Sequence, residues 1–100
     1  MSSPDRPVVL TDEAQRDLRG IAARGRDDWG VEAAARHHAA ILRQLELLGS
    51  FPLLGRIADD LAGGVREIGV PPHRAYYRVE TDVISVLRIL HERMDAPRHM

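Results

Sequence analysis

The hydrophobic period of this chain changes half-way along its length, and this change limits the folds that it can adopt. Across residues 31–48 apolar side chains recur every three or four positions, which predicts an amphipathic helix that ends at Gly49. Residues 12–28 carry a weaker pattern of the same kind after Thr11, a good helix N-cap. Because only two residues separate these segments, we expect an antiparallel helical hairpin whose apolar stripes face one core.

Beyond residue 64 the apolar pattern becomes that of β-strands. Residues 65–70 and 74–80 are predicted strands, separated by two prolines that cannot donate to a ladder. Residues 83–90 are apolar on both faces except at two positions, which predicts a central strand covered on both sides. With the apolar run at residues 8–10, the predicted order is β-α-α-β-β-β. We expect an α+β fold, with an N-terminal helical hairpin packed on a small, mostly antiparallel sheet.

Length and composition exclude several classes of protein. A chain of 100 residues predicts one domain, 1–100, in which we expect residues 1–7 to be flexible. It has no cysteine, no segment that resembles a signal peptide and no apolar stretch long enough to span a membrane, which predicts a cytoplasmic protein without a membrane partner. A net charge of -1 lacks the basic excess of DNA-binding modules, so we expect no direct DNA binding by this chain alone. Every basic residue is arginine, which excludes a lysine general base.

Five histidines raise the question of a metal site. His37 and His38 are adjacent on a predicted helix, about 100° apart, whereas metal-binding helices space their ligands by four residues. His38 lies on the apolar stripe and His37 lies off it, which favours one partly buried and one solvated histidine. We therefore predict neither a metal site nor a cofactor.

The C-terminal strands and the tail carry the candidate residues for binding a target. Pairing of residues 65–70 with 74–80 is expected to bring three of the arginines near one another. Guanidinium, imidazole and phenol groups could hold a phosphodiester and transfer protons. Neighbouring carboxylates favour a solvated or binding surface over a catalytic one. The expected target-binding residues are Arg66, Arg74, Arg78, His91, Arg93, Arg98 and His99.

A second surface is predicted from apolar residues that a small domain cannot easily bury by itself. The outer side of the hairpin and the connection at residues 51–54 are expected to stay partly uncovered. A disordered partner segment could fold into a groove there, although each of these residues could also be ordinary core. The expected lining residues are Ile21, Trp29, Leu42, Phe51 and Leu54.

Six short motifs follow one another between Leu10 and Asp95. They are Leu10-Thr11-Asp12-Glu13-Ala14 with Asp17-Leu18, then Trp29-Gly30, Pro52-x-x-Gly55-Arg56, Gly64-Val65-Arg66-Glu67, His73-Arg74-Ala75-Tyr76-Tyr77-Arg78-Val79 and Leu87-Arg88-Ile89-Leu90-His91-Glu92-Arg93-Met94-Asp95. In this order and spacing they resemble the ParE branch of the ParE/RelE toxin superfamily. The β-α-α-β-β-β core of that family agrees with the fold predicted above.

The resemblance implies the toxin of a type II toxin-antitoxin pair that poisons DNA gyrase, arrests growth and serves plasmid stabilisation. Its partner would be a ParD-like antitoxin, seated in the apolar groove, and the toxin would not be an enzyme. RelE-like relatives instead cleave messenger RNA on the ribosome, and this alternative would use Arg74, Arg93 and His99. The catalytic lysines of those nucleases have no counterpart here, and His99 stands where they carry a tyrosine. The polar tail is expected to add little to the core, so a chain that lacks residues 92–100 should still fold. Because the tail carries expected target-binding residues, the same deletion should abolish growth arrest.

Overall fold

The helical hairpin and the sheet are both present in the computed structural model, which describes residues 5–100. In chain order the elements are β1 (Val8–Leu10), α1 (Asp12–Trp29), α2 (Val31–Ser50), β2 (Arg56–Ile57), β3 (Arg66–Val70), β4 (His73–Val79), β5 (Ile84–His91) and α3 (Ala96–His99). The sheet order is β1-β5-β4-β3-β2, with β1 parallel to β5 and all other neighbours antiparallel. The predicted α+β fold is confirmed. No helix within residues 5–100 is long and apolar enough to cross a membrane.

Capping residues fix the start of α1 and its junction with α2. The Thr11 side chain accepts a hydrogen bond from the Ala14 N–H at 3.1 Å, which satisfies one donor of the first helical turn. Gly30 alone separates the two helices and has a φ of 92°, a conformation that side-chain-bearing residues rarely adopt. The hairpin therefore turns over a single residue, with Trp29 as the last residue of α1.

The end of α2 differs from the prediction. Gly49 lies inside the helix, which continues to Ser50, so it is not the residue that follows the helix. A Cβ at Gly49 would lie 2.7 Å from the carbonyl oxygen of Arg6. Glycine is therefore needed at this position because the segment before β1 crosses the helix there.

The segment before β1 is held by backbone hydrogen bonds where it is described. The Arg6 N–H donates to the Gly49 carbonyl at 3.1 Å, and the Ile84 N–H donates to the Pro7 carbonyl at 2.9 Å. Residues 1–4 of the segment that we expected to be flexible lie outside the described residues.

Each face of the sheet carries its own apolar cluster. The inner face, toward α1 and α2, holds the main core, and its buried members are Ala14, Ile21, Ile41, Leu45, Leu48, Ile68, Ala75, Tyr77, Ile84, Val86 and Ile89. The outer face holds a smaller cluster of Val65, Tyr76, Leu90 and Ala96. Tyr76 of β4 is thus buried on the outer face. The buried Ala96 of α3 also contradicts the expectation that the tail adds little to the core.

Candidate functional site

Side chains from the start of α1 complete an edge of β5 that β1 leaves open. The register of β1 ends at the pair Leu10 and Val86, so the second half of β5 has no strand on that side. The Thr11 hydroxyl donates to the Leu87 carbonyl at 2.8 Å, and Asp17 accepts the Ile89 N–H at 2.9 Å. Two polar side chains thus replace the hydrogen bonds of a longer β1.

Arg88 joins three elements at the same edge. Its guanidinium donates twice to the Asp17 carboxylate, at 2.7 Å through Nε and at 2.9 Å through Nη2, and both side chains are largely buried. This hydrogen bonding raises the pKa of Arg88 above its ordinary value. Nη1 donates to the His99 carbonyl at 2.5 Å, so Arg88 ties α1, β5 and α3 together.

The loop between α2 and β2 is held by a buried tyrosine. The Tyr77 hydroxyl donates to the Pro52 carbonyl and accepts the Gly55 N–H, each at 2.8 Å. Burial raises the pKa of Tyr77, which keeps the phenol protonated. A Cβ at Gly55 would lie 2.6 Å from the Glu67 carbonyl oxygen and 2.8 Å from the Tyr77 ring, so this position requires glycine. Arg66 Nη1 adds a bond to the Gly55 carbonyl at 2.7 Å.

The prediction that three arginines of β3 and β4 lie together is wrong for Arg66. In the observed register Arg66 is opposite Tyr77, whereas Arg74 is opposite Gly69. Because residues directly opposite each other share a face, Arg66 belongs to the inner face with Tyr77. Arg74 and Arg78, an odd number of residues from Tyr77, lie on the outer face.

The largest cavity described lies on the outer face and has a volume of about 540 Å³. We call it the outer cavity. Its charged and imidazole groups come from Arg78, Arg88, His99 and one carboxylate, Glu13, while Leu61 and Leu87 give it apolar walls. Two of the predicted target-binding residues, one from β4 and one from α3, therefore meet there.

Arg74 lies in a different, acidic environment. It lines a cavity of about 320 Å³ with Glu67, Asp59, Asp60 and Arg56, and the last of these pairs with Glu67 at 2.7 Å. Three carboxylates therefore surround two guanidiniums, which leaves no positive excess in this cavity.

The remaining predicted target-binding residues are scattered. Arg93 is exposed in the turn after β5, and Arg98 is exposed on α3 with its guanidinium 3.4 Å from Asp95. His91 lies opposite His73 at the end of the inner face. Sequence reasoning grouped these residues by their chemistry, and the strand register separates them.

The structure contains a cluster of three histidines that was not predicted from the sequence. His37 Nε2 and His73 Nδ1 are 2.8 Å apart, and the rings of His73 and His91 are 5.4 Å apart. Trp29 packs edge-on against His37, with ring centres 5.5 Å apart. His37 was expected to be solvated, yet it is partly buried, as is His38. In the structure the β4-β5 register places His73 opposite His91. Only a prediction of this register could have brought the two histidines together.

The cluster lacks the geometry of a metal centre and favours neutral imidazoles. No group of three or more His, Asp or Glu residues between residues 5 and 100 could hold a metal ion. Burial, followed by the nearby His37, His91 and Arg24, lowers the pKa of His73 from 6.5 to about 4. Burial and then His38 lower the pKa of His37. Because the neutral forms are favoured, His37 and His73 share one N–H between their facing nitrogens.

This cluster predicts a loss of stability in mild acid. Unfolded His73 binds a proton below pH 6.5, whereas folded His73 stays neutral until about pH 4, so the unfolded state takes up more protons in this window. Stability is therefore full above pH 6.5 and falls as the pH decreases toward 4, by on the order of 2 kcal/mol. Thermal melts of the wild type and of His73→Gln between pH 7.5 and 4.5 measure this pH dependence of stability. We expect a flatter profile for the variant, and identical slopes would contradict the assignment.

The predicted antitoxin-binding residues differ in exposure and are spread along the hairpin and the connection that follows it. Ile21 is ordinary core, only 5% exposed, because it faces the sheet from α1. Trp29, Leu42, Phe51 and Leu54 are exposed, but Trp29 and Phe51 lie at opposite ends of α2. A helix of 20 residues is roughly 30 Å long, so Trp29 and Phe51 are separated by about that distance.

Comparison with known proteins gives the family of this chain. The sequence model of the family described as ParE toxin of the type II toxin-antitoxin system parDE matches residues 8–96. The chain is 31% identical over 93 residues to Toxin ParE1 of Mycobacterium tuberculosis, covering 92% of this chain and 95% of that toxin. The chain belongs to the ParE toxin family. It is also 30% identical over 95 residues to Toxin ParE1 of Caulobacter vibrioides, covering 95% and 98% of the two chains.

Solved structures agree with this membership of the ParE family. A chain of the chromosomal ParDE toxin-antitoxin system from P. aeruginosa superposes with a TM-score of 0.77 and 27% identity, covering 89% of this chain and 98% of that one. A chain of the RelBE2 toxin-antitoxin complex from Mycobacterium tuberculosis has a TM-score of 0.67 at 21% identity, covering 90% and 94%. The latter similarity concerns the fold alone.

Several residues that carry the resemblance to ParE have structural roles in this chain. Thr11, Asp17 and Arg88 complete the β5 edge, and Gly55 and Tyr77 hold the loop after α2. A match to these motifs therefore reports, in part, the residues that hold the ParE fold together.

Proposed function

We propose that this ParE-family toxin acts in the cytoplasm by poisoning DNA gyrase and is neutralised by a ParD-like antitoxin. The observation that carries the proposal is the similarity to two ParE1 toxins at 30–31% identity over more than nine-tenths of each chain. The P. aeruginosa neighbour belongs to a ParDE system, which supports an antitoxin of the ParD kind.

The runner-up, a RelE-like messenger RNase, receives less support from the site. Its three candidate catalytic residues lie apart, since Arg74 and His99 line different cavities and Arg93 projects from an exposed turn. Arg74 is also surrounded by carboxylates, which would repel a phosphodiester. We therefore favour an inhibitor that binds its target over a nuclease.

The proposed target-binding surface consists of the outer cavity and the exposed tail beside it. It includes Arg78 and His99 at the cavity, together with Arg93 and Arg98, which are exposed in the C-terminal tail. Arg66 is omitted because it lies on the inner face and is engaged with the Gly55 carbonyl. Exposed polar groups on short irregular segments are typical of binding residues.

Deletion of the whole tail is a poor test of this surface. Removing residues 92–100 takes away Ala96 and exposes Tyr76 and Leu90, and it also removes the His99 carbonyl that Arg88 contacts. Loss of growth arrest in such a deletion could then report instability. Substitutions at exposed side chains separate binding from folding.

The test is a supercoiling assay with purified gyrase, run beside primer extension on messenger RNA after induction in cells. We expect the wild-type chain to inhibit supercoiling and to leave transcripts intact. The double variant Arg93→Ala with Arg98→Ala should lose at least about tenfold in potency, or ~1.4 kcal/mol of binding free energy, because two exposed cations are removed.

The matched control is Arg16→Ala with Arg43→Ala, which removes two arginines that are also exposed, from the helices. Both double variants should melt close to the wild type, since exposed substitutions change stability by only about 0.5 kcal/mol. Transcript cleavage with unaffected gyrase would overturn the proposal and favour the RelE-like alternative.

A further inference from the structure

A β-bulge in β5 shapes one wall of the outer cavity. The β4-β5 register pairs Tyr76 with Arg88 and Tyr77 with Val86, which leaves Leu87 as the extra residue of the bulge. Leu87 and Arg88 are consecutive residues of a strand, yet both line the outer cavity. Regular alternation would place one of them on each face of the sheet. The bulge therefore brings an apolar and a cationic side chain to the same cavity.

Residues of α1 hold both bulge residues in place. The Thr11 hydroxyl donates to the Leu87 carbonyl at 2.8 Å, and Arg88 donates to the Asp17 carboxylate at 2.7 and 2.9 Å. Because Asp17 neutralises Arg88, this arginine gives the cavity shape and adds no net charge. A wall that is fixed before binding lowers the entropic cost of ordering a ligand against it.

Arg78 is the cation of the outer cavity that has no acidic partner among residues 5–100. Its guanidinium donates through Nε to the Gly63 carbonyl at 3.2 Å, and no described carboxylate lies within ion-pair distance of it. The terminal N–H groups of one guanidinium match the two oxygens of a carboxylate. The carboxylate that lines the cavity, Glu13, is exposed and lies 3.5 Å from Arg16. Arg78 is therefore free to pair with an anionic ligand.

The rest of the outer cavity is mainly apolar. Its apolar lining residues are Leu61, Ala62, Val65, Leu87 and Met100. The volume of about 540 Å³ is within the range of small-molecule sites, roughly 300–1,000 Å³. Such sites combine apolar walls with a few polar groups that orient the ligand. A ligand that fits this cavity is therefore largely apolar and carries one anionic group.

We propose that the outer cavity is a binding site for a small amphipathic organic anion, with its apolar body against Leu61, Val65 and Leu87 and its carboxylate on Arg78. The inference goes beyond the proposed function, because it assigns a small-molecule ligand to the chain itself. Since the outer cavity is also part of the proposed target-binding surface, such an anion and the target would compete for it.

Two other kinds of ligand fit the cavity less well. A neutral apolar molecule would cover the Arg78 guanidinium without pairing it, and an unpaired charge that loses contact with water costs free energy. A polyanion would meet one unpaired guanidinium and the carboxylate of Glu13, which repels it. A single anionic group on an apolar body satisfies both the charge and the walls.

The experiment titrates three probes into the ¹⁵N-labelled full chain and follows its amide signals by NMR. The probes are 1-naphthylacetate, its neutral amide 1-naphthylacetamide, and acetate. We expect 1-naphthylacetate to bind with a dissociation constant of about 1 mM or below, the range for a ligand of this size. The amide should bind at least about fivefold more weakly, and acetate should not saturate. The Gly63 and Leu87 signals should shift, while that of Gly30, at the turn of the hairpin, should not.

Variants separate the charge from the apolar walls. Arg78→Gln should weaken binding of 1-naphthylacetate by about tenfold and leave the amide within about twofold. The matched control is Arg74→Gln, because Arg74 is also half-buried on the outer face of β4 but lines the acidic cavity. This control should bind 1-naphthylacetate within about twofold of the wild type. Leu61→Ala should weaken both naphthyl probes alike, since it shortens an apolar wall. Circular dichroism of each variant checks that the fold is retained.

Three results would overturn the inference. They are equal binding of the acid and its amide to the wild type, equal binding of the acid to Arg78→Gln and Arg74→Gln, and signal shifts that map away from the outer cavity. Failure of 1-naphthylacetate to bind at all would overturn it as well. Because the titration uses the chain alone, none of these results bears on gyrase, and an unaffected gyrase would overturn only the proposed function.

Discussion

Replacing Asp17 with alanine is expected to lower the free energy of unfolding by about 3 kcal/mol, because it leaves one buried cation and one backbone donor without partners. The carboxylate accepts two bonds from Arg88 and one from the Ile89 N–H. Water cannot easily replace these bonds, since both side chains of the pair are largely buried. Urea denaturation monitored by circular dichroism measures the change.

The exposed ion pair of α1 gives the control for this prediction. Glu13 and Arg16 are 3.5 Å apart and both solvated, so Glu13→Ala should change stability by less than about 0.5 kcal/mol. The loss of unfolding free energy for Asp17→Asn should lie between those for Asp17→Ala and Glu13→Ala, since the amide oxygen of asparagine can still accept the Ile89 N–H. Equal effects of Asp17→Ala and Glu13→Ala would show that the β5 edge does not depend on this carboxylate.

Gly55→Ala is expected to lower the free energy of unfolding by about 2–4 kcal/mol, because the added methyl group would enter space that the backbone and a buried ring already occupy. The methyl carbon would lie 2.6 Å from the Glu67 carbonyl oxygen and 2.8 Å from the Tyr77 hydroxyl. Relief would require the loop to leave Tyr77, which would break the bonds to the Gly55 N–H and the Pro52 carbonyl.

Gly69→Ala is the matched control, since a Cβ at Gly69 on β3 meets nothing within 4 Å. This change should be neutral or stabilising by up to about 0.5 kcal/mol, because alanine restricts the unfolded chain. Tyr77→Phe tests the other partner and should cost about 1–3 kcal/mol by removing the hydroxyl. If Gly55→Ala melts at the same temperature as Gly69→Ala, the close approach of the loop to Tyr77 is not required for folding.

The elements that sequence analysis predicted are those with a long, consistent period. Both helices of the hairpin and the three longer strands carry enough apolar positions for the pattern to be clear. Strand β2 was missed because two residues, Arg56 and Ile57, contain no period. The burial of Ala96 was missed because it depends on Tyr76 and Leu90, which belong to other strands and carry no signal in the tail itself.

Candidate site residues were predicted less well because side-chain chemistry does not determine the face of a sheet. Arg66 and Arg74 are equally basic, and only the strand register separates them. The histidine cluster was not predicted for a related reason. His37, His73 and His91 come from three elements that meet only in the folded chain. Prediction of the β3-β4 register, from the apolar alternation of these strands, would have corrected the assignment of Arg66.

The pairing of β1 with β5 also determines when the protein can become active during its own synthesis. The Thr11 hydroxyl bonds to a carbonyl 76 residues further along the chain, and β5 ends at His91, close to the C-terminus. The hairpin, whose contacts are local, can form on the nascent chain, but the sheet has to wait for β5. The sheet is therefore incomplete until β5 has been translated, so the hairpin is available to a partner before the complete sheet exists.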